Sequence, residues 1–142
     1  SWKSSNVKNG SKSLQLNDLK PLFNNKNIGF VNLQYGNNSE LKTFNKDNNN
    51  RIIEVEEIDL FKQIDDIISL IYCLDAVVTT PNVNVHFAGS IGKKCVVASP
   101  FDNELFLYSK LNDGKCEWYK NQKTLIVNDN LDSILKKITK LL

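Results

Sequence analysis

Arginine is almost missing from this chain: of 18 basic residues, only Arg51 carries a guanidinium, and the formal net charge is +2. A nucleic-acid binder more often presents an arginine-rich face with exposed aromatics, so no nucleic-acid partner is expected. Histidine is scarcer still, with His86 alone. No Ser–His–acid or Cys–His arrangement stands out, and no cluster has metal-ligand spacing, so no metal and no separate cofactor are expected. The three cysteines, Cys73, Cys95 and Cys116, are odd in number and widely spaced, which fits neither a disulfide framework nor a zinc motif. A reducing cytoplasm is the default location, with Cys95 in an apolar run read as core. No apolar run approaches the roughly 20 residues of a membrane helix, and no signal peptide is visible. G-x-G-x-x-G and Walker loops are both absent, so phosphate binding would have to come from a helix end. Methionine is absent too, and the chain opens on Ser1-Trp2. That opening is read as a cut at or inside a strand end of a longer protein.

What is present suits one compact domain over residues 1–142. Apolar residues make up 41% and charged residues 24%, the balance of a globular protein rather than a disordered one. Lysine and asparagine are so abundant that single occurrences carry little weight. Leu14, Leu16, Leu19, Leu22 and Phe23 predict a short helix begun by Asn17 or Asp18, with Pro21 tolerated in its first turn. The compact run Ile28–Leu33 predicts a buried strand. A polar stretch over 35–50 reads as loop, with one helical turn around Glu40 to Phe44. Arg51–Val55 predicts a second strand. Ile58, Phe61, Ile64, Ile67, Ile68 and Ile71 recur at helical spacing, with Asp59, Lys62, Asp65, Asp66 and Ser69 on the wet face. Strands follow at Ala76–Thr79, Lys94–Ser99 and Leu125–Val127. Helices are predicted over Asn82–Ile91, closed by Gly92, and over Leu131–Leu141. The loop from Phe101 to Gln122 gives no reading; Trp118-Tyr119 either lines a site or anchors that loop. Strands alternating with helices call for an α/β fold: a Rossmann-like parallel sheet with helices on both faces.

In such a sheet, ligands sit beyond the carboxyl ends of the strands. Three groups of residues converge there. In the first, Thr80 or Asn82 caps a helix, and the amides of Val83, Asn84 and Val85 point outward with the positive end of the helix dipole. A diphosphate matches that site. His86 lies one turn in and leans back toward it; the plainer reading is a satisfied histidine beside Phe87. Ala88 and Gly89 are small enough for the helix to pack closely on the sheet. The second group is Trp2-Lys3-Ser4-Ser5 with Lys12-Ser13, whose hydroxyls and ammonium groups suit phosphate oxygens, against ordinary solvated lysines. The third is Gln34-Tyr35-Gly36, which suits a ribose or base, or is simply a strand exit. Ile58, Leu60 and Phe61 pack under a nucleobase or, more plainly, in the core.

Trp2-Lys3-Ser4, Lys12-Ser13-Leu14-Gln15-Leu16, Val31-Asn32-Leu33-Gln34-Tyr35-Gly36, Leu74-Asp75-Ala76-Val77-Val78-Thr79 and His86-Phe87-Ala88-Gly89-Ser90-Ile91-Gly92-Lys93 occur in this order, followed by Pro100. Together they resemble the C-terminal half of a GT-B glycosyltransferase. The likeness is to the heptosyltransferase-like enzymes of glycosyltransferase family nine and to similar domains fused to tetratricopeptide repeats. The resemblance implies one half of a GT-B fold that binds a nucleotide-sugar donor for an inverting, metal-independent transfer. It implies a diphosphate at Pro81, Asn82, Val83 and Asn84 with His86 behind it. It places Lys12 and Ser4 near phosphate or sugar, and Gln34 and Tyr35 toward ribose and base. The implied partners are the nucleotide sugar, the missing N-terminal half and the repeats. The catalytic base belongs to that other half, so no catalytic residue is expected here and the chain alone should not turn over. Many heptosyltransferases have an acidic residue and a threonine at Pro81-Asn82; relatives with a Ser-Asn pair match Asn82 better. The alternative is a non-catalytic GT-B-like binding or interaction module attached to helical repeats.

Overall fold

The computed structural model describes residues 1–3, 13–49, 51–98, 113, 115–119, 124–127 and 129–141. A 3₁₀ turn, Leu16–Leu19, runs into α1, Lys20–Phe23; then come β1, Phe30–Val31, and α2, Ser39–Asp47. Next are β2, Ile52–Ile53, α3, Ile64–Cys73, β3, Ala76–Thr79, and α4, Val83–Ser90. The order closes with β4, Lys94–Ala98, β5, Thr124–Val127, and α5, Leu131–Leu141. β1 and β2 pair in parallel, with Phe30 opposite Ile52. β3, β4 and β5 form a second parallel sheet in that order, with Val77 opposite Cys95 and Cys95 opposite Thr124. This is a Rossmann-like α/β arrangement. Among the described residues no helix is long and apolar enough to cross a membrane.

The strands alternate between two apolar layers, as a pleated sheet covered on both faces requires. Val96, Ala98 and Val127 point into one layer with Ile134, Leu135 and Ile138 of α5, Leu41 and Phe44 of α2, and Leu22 of α1. Cys95, Val97, Val77 and Ile126 point into the other, with Ile67 and Ile71 of α3 and Val85 and Ala88 of α4. β4, in the middle of its sheet, is buried from Cys95 to Ala98. Burial pushes the Cys95 thiol up to about 12, so it is a core side chain, as expected. Cys116 is also buried, Cys73 is exposed, and all three are free thiols.

Several boundaries differ from the sequence reading, each for a local polar reason. β1 is shorter than Ile28–Leu33 because the Asn32 carboxamide takes over the backbone of Gln34, accepting from its N–H at 2.8 Å and donating to its carbonyl at 3.1 Å. The segment around Glu40 is a full helix, not one turn. Asn45 ties that helix to β2, donating to Ile52 O at 2.8 Å and accepting from Ile52 N at 3.0 Å. β2 holds only Ile52 and Ile53, within the wider Arg51–Val55 span. α3 starts at Ile64 rather than Ile58. Asp59 Oδ1 accepts from Phe61 N and Lys62 N, and this turn ends the helical register before Gln63. The first turn begins at Leu16, ahead of the expected Asn17 or Asp18, after a cap at Gln15, whose N–H donates to Asp18. The β4 prediction reached Ser99, which lies outside the described residues. α4 does end as expected: Gly92 has φ +70°, Gly92 N donates to Gly89 O, and Lys93 N to Ala88 O. That pair of bonds is a Schellman closure. Arg51 is structural: its guanidinium holds the carbonyls of Phe23, Asn25 and Ile28 and lies over the Phe30 ring.

The first residues join the two sheets. Ser1 N donates to Val78 O at 3.2 Å and Thr80 N to Ser1 O at 3.2 Å, a parallel bridge to β3. On the other side, Gln34 Oε1 accepts from Ser1 Oγ at 2.9 Å, Trp2 N at 3.2 Å and Lys3 N at 2.9 Å. Glu40 fastens the same segment, accepting from Trp2 Nε1 and Leu16 N and pairing with the Lys3 ammonium.

Gln34→Leu strands two backbone N–H groups at about 1–3 kcal/mol each; urea unfolding should show a loss of about 2–6 kcal/mol. Burial alone would raise the Glu40 carboxyl, but Lys3, Leu16 N–H and Trp2 N–H outweigh it and hold the group below its usual 4.5. A depressed folded value stabilises above the unfolded pKa and is lost as pH falls through the folded one. Urea midpoints measured from pH 6 to pH 2 should therefore fall less steeply below about 4.5 in Glu40→Gln.

Candidate functional site

The carboxyl ends of β1 and β3 lie on one rim, tied by the bond from Asn84 Nδ2 to Leu33 O at 3.1 Å. At the β3 end, Asn82 is in extended conformation and caps α4, with its Oδ1 accepting from Asn84 N at 3.0 Å. Asn82 Nδ2 donates to Ser1 Oγ at 2.9 Å, and Ser1 Oγ donates on to Gln34 Oε1. One polar chain thus runs from the start of α4 to the end of β1.

This geometry changes the expected outward array of amides. The Asn84 amide is taken by the cap, and Val85 N donates to Asn82 O at 3.2 Å. Val83 is exposed at the first position of the helix. The Asn84 side chain is buried and committed to Leu33 O, and Gln34, only 7% exposed, is committed to the Ser1–Lys3 segment. Lys3 is spent on Glu40. Ser4 and Lys12, and the neighbouring Ser5, lie outside the described residues. Thr80 is buried beside the cap, and its Oγ1 has no hydrogen-bond partner among the described residues.

His86 is exposed and is held from the side by the later loop. Tyr119 Oη lies 2.7 Å from His86 Nδ1, and Trp118 stacks on the imidazole with centroids 5.9 Å apart and planes 16° from parallel. Burial pushes the Tyr119 phenol up to about 12, so it stays protonated at neutral pH and can donate to Nδ1. Gly89 explains the approach. A Cβ there would sit 2.5 Å from Tyr119 ring carbons, so this small residue makes room for Tyr119 rather than for the sheet. Ala88, by contrast, is buried in the layer beneath α4, as its size predicted.

Beyond β1 and β2 lies a pocket of about 470 Å³. Tyr35 and Phe61 line it with ring centroids 5.4 Å apart, together with Gly36, Asn38, Glu54 and Ile58. Phe61 is 70% exposed, so core packing does not claim it. Asn38 donates to Glu54 Oε2 at 3.3 Å, while its buried Oδ1 has no partner among the described residues. Gly36, with φ +91°, makes the turn out of β1 that opens this pocket.

The structure therefore joins Asn82 to Gln34 and seats Tyr35 in a pocket, while the contacts of His86 run to Trp118 and Tyr119. The sequence reading did not assign the Tyr119 contact to His86, nor Asn38 and Glu54 to the pocket. The glycine at 89 in an otherwise good helix was the one available signal for a close approach there. Among the described residues no group of three His, Cys, Asp or Glu side chains could hold a metal.

Gly89→Ala should improve helix propensity yet force Tyr119 away from His86. Overpacking of this kind costs about 1–3 kcal/mol against a helix gain of about 1, so urea unfolding should show a net loss of about 1 kcal/mol. Compared with known proteins, the chain matches no family model, no curated protein and no solved structure.

Proposed function

We propose that the chain binds a nucleotide sugar, as the donor half of an inverting, metal-independent GT-B glycosyltransferase. The observation that carries this reading is the shared rim. One face of it offers an aromatic-lined pocket, and the other offers a capped helix start with a histidine one turn in. The base would enter the pocket beside Tyr35 and Phe61. Glu54, Glu56 and Asp59 around that pocket favour N–H donors of a base and repel phosphate. The diphosphate would then lie toward Val83 at the start of α4, where the dipole carries roughly half a positive charge. His86 would stabilise charge on the departing nucleoside diphosphate, its ring orientation supported by Tyr119 and Trp118. The acceptor's base would come from the other half of the enzyme, so this chain alone would bind without turning over. Three free thiols fit a cytoplasmic setting.

The bonds that already occupy the Asn84 and Val85 amides favour a second reading. In it, the fold is kept as a non-catalytic interaction module, joined to helical repeats.

Calorimetric titration with UDP, ADP, GDP and CMP tests the choice. The donor reading expects one nucleotide to bind selectively and His86→Ala to weaken it at least about tenfold, or 1.4 kcal/mol, with an unchanged circular dichroism spectrum. Selective binding that His86→Ala leaves untouched would remove the histidine from the site. No binding of any nucleotide by the folded chain favours the interaction module.

A further inference from the structure

Stacking alone does not choose among nucleobases, because every base has a π-face. In the pocket beyond β1 and β2, the choice falls to the polar groups around the aromatic surface. The Tyr35 and Phe61 ring centroids are 5.4 Å apart. A base held between two rings needs about 7 Å, twice a van der Waals contact of about 3.5 Å. A base would therefore lie over the exposed Phe61 ring rather than between the two. Its edge would then meet the other side chains that line the pocket.

Three carboxylates of the described residues line this pocket, and they are not equivalent. Asp59 Oδ1 is spent on the N–H groups of Phe61 and Lys62, and Glu56 is exposed to water. Glu54 is half-buried directly after β2. Among the described residues its carboxylate has one hydrogen bond, a long one from Asn38 Nδ2 to Oε2 at 3.3 Å. Among them, too, no ammonium or guanidinium lies within ion-pair distance of it. Such a group gains most from a ligand that brings it two N–H donors, because paired, charge-assisted hydrogen bonds are the strong ones. Asn38 caps α2, and Lys42, one turn on, adds an ammonium to the same pocket.

The Watson–Crick edges of the bases differ in what they offer this set of groups. Uracil flanks its one N–H with two carbonyl oxygens, which a carboxylate repels. Adenine and cytosine each set a ring-nitrogen acceptor beside the amino group, so one carboxylate oxygen would face a lone pair. Guanine places two donors side by side, N1–H and the 2-amino group, with the O6 acceptor next to them. We propose, on the nucleotide-sugar reading above, that Glu54 selects guanine and that the donor is a GDP-linked sugar. The Glu54 carboxylate accepts from N1–H and the 2-amino group, the Lys42 ammonium donates to O6, and Phe61 stacks on the purine. Asn38 orients the carboxylate through its bond to Oε2.

Calorimetric titration with GDP, IDP, ADP, UDP and CMP, on this chain and on Glu54→Gln, is the test. IDP lacks only the 2-amino group, so its comparison with GDP needs no variant and decides the matter even if Glu54→Gln fails to fold. GDP should bind at least about tenfold tighter than IDP and than the other three, the least that a lost hydrogen bond to a charged group costs. A glutamine carboxamide sets a donor beside its acceptor and suits adenine. Glu54→Gln should therefore weaken GDP at least about tenfold while ADP binds no more weakly than before. Equal binding of GDP and IDP, or selective binding of ADP, UDP or CMP, overturns the guanine assignment and leaves the donor reading standing. So does a GDP preference that Glu54→Gln leaves intact, or an equal weakening of GDP and ADP. No binding of any nucleotide by the folded chain overturns both.

Discussion

A single carboxamide oxygen joins the two halves of this fold. Gln34 Oε1 accepts from Ser1 Oγ, Trp2 N and Lys3 N, and the segment it holds is bonded on its far side to β3. Buried backbone N–H groups must find acceptors, and here a side chain supplies what a neighbouring strand ordinarily would. Without it, the β1–β2 pair would be held to the β3–β4–β5 sheet by the Asn84–Leu33 bond and by apolar contacts. Those contacts resist separation but do not define register. Glu40 adds a second polar fastening to Trp2 and Leu16, close to the same seam.

From that seam the rim follows. Parallel strands release their chains at one end, and a cap at Asn82 and a turn at Gly36 steer the following segments apart. The pocket beside Gly36 opens on the β1–β2 side of that rim. The polar groups that hold the rim are mostly spent on holding it: Asn82, Asn84 and Gln34 each have partners inside the protein. Among the described residues, Val83, His86, Phe61 and Trp118 are exposed there. Recognition at this rim would therefore rest more on aromatic surface, on the helix dipole and on one imidazole than on a dense array of hydrogen-bond donors.

The seats of β3, α4 and β4 are legible in the sequence because their signals are local. Alternation into two layers requires an apolar run at Cys95–Ala98, and Asn82 and Gly92 cap their helix through bonds to near neighbours. The start of α3 was misread because Ile58 and Phe61 continue the helical spacing while Asp59 bonds its own backbone into a turn. The extent of α2 was underestimated because its support, Asn45 on Ile52, comes from a strand seven residues on.

Helical periodicity, caps and the strand–helix alternation were thus written in the sequence, because each depends on residues within a turn or two of one another. The tertiary structure alone decided that Gln34 and Asn84 are structural, that Gly89 serves Tyr119, and that His86 is held by Tyr119 and Trp118. Those outcomes depend on hydrogen bonds and van der Waals contacts between residues about thirty to fifty positions apart. Such contacts leave no periodic trace, since a carboxamide or an imidazole reads the same in sequence whether it faces a ligand or a neighbouring strand.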